Sequence, residues 1–122
     1  MSRIRIALLA ALATAVVAVA PSAAMAPATL NGTVGPGFTI TLTKGGAKVT
    51  SLTAGKYTIV VNDKSAIHNF HLTGPGVNKT TGVGAIGKST WTVTLKKGKK
   101  YQYICTVPGH AAGGMKGTFK AT

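Results

Sequence analysis

The sequence is most informative in what it lacks. Among 122 residues there is a single acidic side chain, Asp63, and no glutamate at all. Paired carboxylates for general acid/base chemistry are therefore unavailable, and a Ser/His/Asp triad would have to use the only acid in the chain. Hydrolase chemistry is disfavoured from the start, and no enzymatic activity is expected. Cys105 is the only cysteine, so no disulfide can form within the chain. In an oxidising compartment such a thiol must be buried, bound to metal or paired between chains. Arginine occurs only at Arg3 and Arg5. That argues against base-specific nucleic-acid recognition, which leans on bidentate arginine contacts.

The N-terminus has the pattern of an export signal. Arg3 and Arg5 supply the positive start, Ile6 to Ala20 the apolar run, and small residues follow. Cleavage is expected after Ala24, Ala26 or Ala28, which divides the chain into a signal segment, 1–28, and one domain, 29–122. The alternative is a retained anchor, but the run is short for a spanning helix of about 20 residues. There is no Arg-Arg pair, so export as an unfolded chain is expected, with any metal acquired outside the cytoplasm. An extracellular or periplasmic location follows. Roughly 95 residues then remain, enough for one sandwich core. The formal charge is +13. Without Arg3 and Arg5, twelve lysines stand against Asp63. A field of that sign suits an acidic partner, or an anionic wall or membrane surface. Lysines scattered along edge strands would serve solubility equally well.

Beyond the signal the pattern is β throughout, with no convincing helical period longer than a turn or two. Strands are expected at Leu30 to Val34, Phe38 to Thr43, Val49 to Leu52, Tyr57 to Asn62, Ile67 to Leu72, Ser89 to Leu95, Tyr101 to Cys105 and Thr118 to Ala121. Phe38, Ile40 and Leu42 alternate as an inward face, as do Trp91, Val93 and Leu95. Seven or eight short strands with turns at this spacing indicate an antiparallel β-sandwich.

The chemistry concentrates between Tyr103 and Gly117. Cys105, His110 and Met115 are separated by four residues each time. A thiolate, an imidazole and a thioether form a soft-metal donor set, and Cys/His₂ with a weak Met is the ligand combination of blue-copper electron-transfer centres. Taken singly, Cys105 could be a small buried hydrophobe and Met115 a core filler. Their joint spacing in a loop otherwise built of Pro108, Gly109, Ala111, Ala112, Gly113 and Gly114 favours metal. Structural zinc would want four strong N/S ligands, which leaves Met115 unexplained. A second histidine must come from His68 or His71. In a strand, residues 68 and 70 share one face and 69 and 71 the other. The face carrying Phe70 suits the core, which selects His68. His71 is then an exposed or hydrogen-bonded histidine, or an accessory ligand. Asn69 falls beside the site, where its side chain could tie the two ligand segments together.

The stretch Leu52-Thr53-Ala54-Gly55-Lys56-Tyr57-Thr58-Ile59-Val60-Val61-Asn62, the triplet His68-Asn69-Phe70, and Tyr103-Ile104-Cys105-Thr106-Val107-Pro108-Gly109-His110 with Met115-Lys116-Gly117 resemble the cupredoxins, the family of plastocyanin, azurin and auracyanin. The resemblance implies a Greek-key β-sandwich holding one type 1 copper ion, with His68, Cys105, His110 and Met115 as ligands and Asn69 bracing the loop. It also raises a backbone carbonyl near Ile67 as an extra ligand. The function it implies is a secreted, monomeric one-electron carrier cycling Cu(II)/Cu(I). Its partner would be an acidic redox protein met at the His110 end, where Lys64, Lys79 and Lys116 could line the rim. The alternatives are an extracytoplasmic copper chaperone or buffer, and a metal-free lysine-rich sandwich that binds anionic polymers. His71 and the lysine excess are not part of the family pattern.

Overall fold

The computed structural model describes residues 10–19 and 25–122. Of the expected signal segment, residues 1–9 and 20–24 lie outside the described residues; 10–19 carry no regular structure and are exposed. Among the described residues no helix is long and apolar enough to cross a membrane.

From Ala28 onward the domain is all β. Ten strands form: β1 (Ala28–Val34), β2 (Ile40–Lys44), β3 (Ala47–Lys48), β4 (Ser51–Leu52), β5 (Gly55–Asp63), β6 (His71–Gly74), β7 (Val77–Thr80), β8 (Gly87–Leu95), β9 (Lys100–Ile104) and β10 (Lys116–Ala121). They build two five-stranded sheets, ordered β3-β2-β1-β5-β8 and β4-β10-β9-β6-β7. The sandwich is as expected; the strand expected at Val49 to Leu52 is shortened to β4, the Gly- and Thr-rich stretch from Val77 contributes β7, and β3 is a short strand that the sequence pattern read as a turn. Both sheets are mixed rather than purely antiparallel, because β1 runs parallel to β5 and β4 parallel to β10. A parallel pair needs a crossover connection. Here the chain supplies one by leaving the first sheet after β3, contributing β4 to the second, and returning as β5.

The core follows from period-2 alternation. In β5 every second residue, Tyr57, Ile59, Val61 and Asp63, is buried. Opposite them the second sheet contributes Leu72, Tyr101, Tyr103 and Phe119. Tyr101 stacks on Phe119 and Tyr103 on Phe70, each pair with ring centroids 5.4 Å apart. These large rings need space in the neighbouring strand. Gly117 lies directly across from Tyr103 in the β9–β10 ladder, and a Cβ there would run into the Tyr103 ring.

One expected inward residue is displaced. β2 begins only at Ile40, and Phe38 is 61% exposed. Gly35-Pro36-Gly37 forms a bend before it. Gly35 N–H donates to the Thr39 carbonyl at 2.9 Å, and Thr39 N–H to the Gly37 carbonyl at 2.8 Å. Closing this loop on its own backbone lifts Phe38 out of the alternation that its neighbours obey.

Gly117→Ala should destabilise the domain by about 1–3 kcal/mol through overpacking against Tyr103, read from the urea midpoint. Burial also pushes the Tyr103 phenol above its usual range, with a backbone hydrogen bond at Leu42 acting the other way. The folded state then holds the proton more tightly than the unfolded chain does. This contribution is complete below the unfolded pKa of about 10 and is lost as pH rises through the folded value. Tyr103→Phe should therefore unfold at higher pH than the parent in an alkaline titration followed by circular dichroism.

Candidate metal centre

The site sits at one pole of the sandwich, and strand register puts it there. His71 opens β6 and Ile104 ends β9, and the two are paired; Lys116 opens β10 and is paired with Ile104 on its other side. Residues just before β6, just after β9 and just before β10 therefore emerge at one edge of one sheet. Those residues include His68, Asn69, Phe70, Cys105 and Met115.

The segment carrying His68 is not a strand. After β5, Asp63 Oδ1 accepts the Ser65 N–H at 3.1 Å, and Ser65 Oγ accepts the Ile67 N–H at 3.3 Å. Two successive side-chain-closed turns replace the ladder, as short polar side chains commonly do. The chain's only acid is thus spent on geometry. It is buried, and its Oδ2 accepts the Thr81 hydroxyl at 3.1 Å. The consequence corrects the strand-face argument. His68, Asn69 and Phe70 are all buried in an irregular segment, at 0%, 4% and 0% exposure, so alternation does not separate them. His71, the first residue of β6, is half-buried and points elsewhere. Its Nε2 lies 2.7 Å from Asn78 Oδ1, and it does not join the donor cluster.

Three donor atoms converge. The Nδ1 atoms of His68 and His110 are 2.9 Å apart, and Cys105 Sγ lies 3.8 Å from the first and 3.5 Å from the second. The circle through a triangle with those edges has a radius of about 2.0 Å, close to metal–imidazole lengths of about 2.0–2.1 Å and a little inside metal–thiolate lengths of about 2.3 Å. One ion fits between them. Cys105 is buried and His110 half-buried. Met115 is fully buried beneath the same loop. Its N–H donates to the His110 carbonyl at 3.0 Å and its own carbonyl accepts the Cys105 N–H at 3.1 Å. The loop between is a series of turns, with His110 N–H on the Val107 carbonyl and Gly113 N–H on the Gly109 carbonyl, both at 3.0 Å.

Asn69 joins the two ligand-bearing segments. Its Oδ1 accepts the Thr106 N–H at 2.7 Å, and its Nδ2 donates to the Thr106 hydroxyl at 2.8 Å and the Thr80 hydroxyl at 3.3 Å. His68 has no such tie. Its Nε2 is the buried side-chain polar atom without a hydrogen-bond partner among the described residues, whereas a metal-bound imidazole usually donates its second N–H. Packing orients the ring instead. Phe38 lies edge-on at 5.0 Å between centroids and also contacts the His110 ring at 4.7 Å. Gly35, at φ +71°, lets the backbone press close: a Cβ there would sit 2.6 Å from Ser65 Cβ and 3.6 Å from His68 Cδ2. Phe38 is the site residue that sequence patterning missed. The available signal was the Gly-Pro-Gly turn immediately before it, which interrupts the alternation.

The family described as copper binding proteins, plastocyanin/azurin family, matches residues 43–122. Among solved structures the chain is similar to reduced rusticyanin, at 24% identity over 77% of this chain and 78% of that one, with a TM-score of 0.59. It is similar to dithionite-reduced auracyanin from Roseiflexus castenholzii, at 22% identity over 80% and 99%, with a TM-score of 0.57. Auracyanin B aligns at 20% identity over 82% and 93%, with a TM-score of 0.52. At these identities the structures speak for the fold alone. No match was found among curated protein sequences.

Asn69→Ala should weaken metal retention by about 10–100-fold and lower stability by about 1–3 kcal/mol, since the Thr106 N–H loses its acceptor. Competition with a chelator reads the first and denaturant unfolding the second.

Proposed function

The chain belongs to the plastocyanin/azurin family of copper-binding proteins, and from that premise we propose that it is an exported one-electron carrier whose copper is held by His68, Cys105, His110 and Met115. The observation that carries the reading is the triangle of two imidazole Nδ1 atoms and one thiolate, with edges between 2.9 and 3.8 Å, which fits one type 1 copper ion. Bound copper would supply the change between Cu(II) and Cu(I). The protein's part is to keep the donors still through that change. One backbone hydrogen bond ties Cys105 N–H to the Met115 carbonyl, a second ties Met115 N–H to the His110 carbonyl, and Asn69 clamps the His68 segment to Thr106. Met115, buried in the same loop, would supply a weak thioether donor, the kind of ligand by which such centres tune their potential.

His110 is the half-buried ligand, so its ring edge is the route by which an electron reaches the surface. Val107, Pro108, Ala111 and Ala112 frame it with small apolar groups, and the exposed ring of Phe38 extends that frame. Lys64, Lys79 and Lys116 are exposed and would steer an acidic redox protein toward this end. Redox encounters of this kind are small and short-lived, with long-range charge setting the rate of approach. Export is supported by Arg3, Arg5 and the apolar run that follows. Function as a monomer is consistent with burial of the one cysteine, whose free thiol is then not accessible for pairing between chains.

The visible spectrum of the protein after addition of Cu(II) tests this reading. An intense thiolate-to-copper band at about 600 nm is expected, lost in His68→Ala and kept in His71→Ala. A colourless protein that binds only Cu(I) would overturn the electron carrier in favour of copper handling.

A further inference from the structure

A second feature of the molecule starts beside the metal pole, at Lys116, and runs away from it along β10. The outer face of the sheet β4-β10-β9-β6-β7 carries a shallow groove of about 1050 Å³, lined by Lys48, Lys100, Lys116 and Lys120 with Gln102 and Thr118 between them. All four lysines are exposed. No acid can neutralise them from a side chain, because Asp63 is the only one and is buried. Register sharpens the point. Lys100 and Lys120 are directly opposed across the β9–β10 ladder, an arrangement that ordinarily costs stability. Lys116 lies four residues along β10 from Lys120, which is about 13 Å on an extended strand. The groove therefore presents a cross-strand lysine pair with Lys116 about 13 Å away along β10, and an amide and hydroxyls between them.

The occupant can be narrowed from the same residues. The exposed large apolar side chains of the domain are Phe38, Ile67, Val83 and Ile86, and none of them lines this groove. A folded acidic protein would want large exposed apolar side chains at the centre of its interface; the groove's two aromatic residues, Tyr101 and Phe119, are instead buried. Lysine acts as a point charge, matched to phosphate without the planar fork that arginine gives to specific readout. Gln102, Thr118 and the neighbouring Thr73 supply hydrogen bonds for hydroxyl groups. We propose that this groove binds a linear, hydroxyl-bearing phosphodiester polymer, a polyol- or sugar-phosphate chain of the kind that decorates a cell wall, laid along β9 and β10. The bound polymer would relieve the Lys100–Lys120 repulsion and hold the domain at the surface.

Titration of the full chain with poly(glycerol phosphate), at low and moderate salt, tests the proposal. Saturable binding is expected, about tenfold tighter than to polyglutamate of equal charge and weaker at higher salt. Lys100→Gln/Lys120→Gln should reduce affinity about tenfold while raising the thermal midpoint, because the like-charge pair is gone. Lys56→Gln/Lys88→Gln, which removes the same charge from the other sheet, should leave affinity within about twofold. Equal losses in the two double variants would overturn the groove in favour of diffuse charge. Equal affinity for polyglutamate would overturn the phosphodiester assignment, and so would preferential binding to phosphatidylglycerol vesicles. Absence of binding would overturn the proposal outright. None of these outcomes depends on copper, so each is independent of the electron-carrier reading.

Discussion

Everything at the metal pole depends on the bracket between Asn69 and Thr106. These residues are 37 positions apart, and two hydrogen bonds of 2.7 and 2.8 Å hold them face to face. Asn69 follows His68 and Thr106 follows Cys105, so the bracket sets the distance between an imidazole and a thiolate without touching either. Strand register makes the bracket possible. The row His71, Ile104 and Lys116 forms the last rung of the second sheet at that end, and the donor-bearing segments leave from that rung. A close-packed interior has low compressibility, so a site built one residue beyond a rung inherits the sheet's rigidity.

Among the described residues His68 Nε2 has no hydrogen-bond partner, which shows what the rest of the pole is for. A ligand imidazole that is not tethered at its far nitrogen must be oriented by contact. Gly35 and Phe38 supply that contact from a third segment, the loop between β1 and β2. The pole is thus assembled from three loops, each closed by its own local chemistry: glycine and proline in the first, Asp63 and Ser65 in the second, a run of turns from Val107 to Gly114 in the third. The division of charge is equally clear. The one acid is buried and engaged in turn geometry, and every lysine is exposed. The charge that makes the molecule strongly basic plays no part in holding its core.

Much of the fold was readable from local pattern. Strands β5, β8 and β9 alternate so regularly that their existence and inward faces followed from composition. What alternation could not give was direction or membership. Nothing in the residues of β1 says that it pairs parallel with β5, since a parallel partner is chosen by where the intervening chain goes. Alternation also misled twice, at Phe38 and at His68–Phe70, and for one reason. In both places turn-forming side chains or glycines satisfy the backbone locally, and a segment that closes on itself is no longer bound to the two-residue period of a sheet. The preference for His68 over His71 came from a strand face that does not exist there; the cluster contains His68 because the whole segment turns inward.

The sequence by itself determined the chemistry available to this protein. A single thiol, three imidazoles, one acid and a loop of small residues around Cys105, His110 and Met115 leave few options besides a soft-metal site, because donor identity and local spacing are properties of the chain. Tertiary structure alone decided that the His68 segment turns inward instead of running as a strand, that a phenylalanine covers it, and that Lys100 and Lys120 face one another along a groove. Those outcomes depend on contacts between residues far apart in the chain, and register between strands, which local pattern does not encode, is what brings them together.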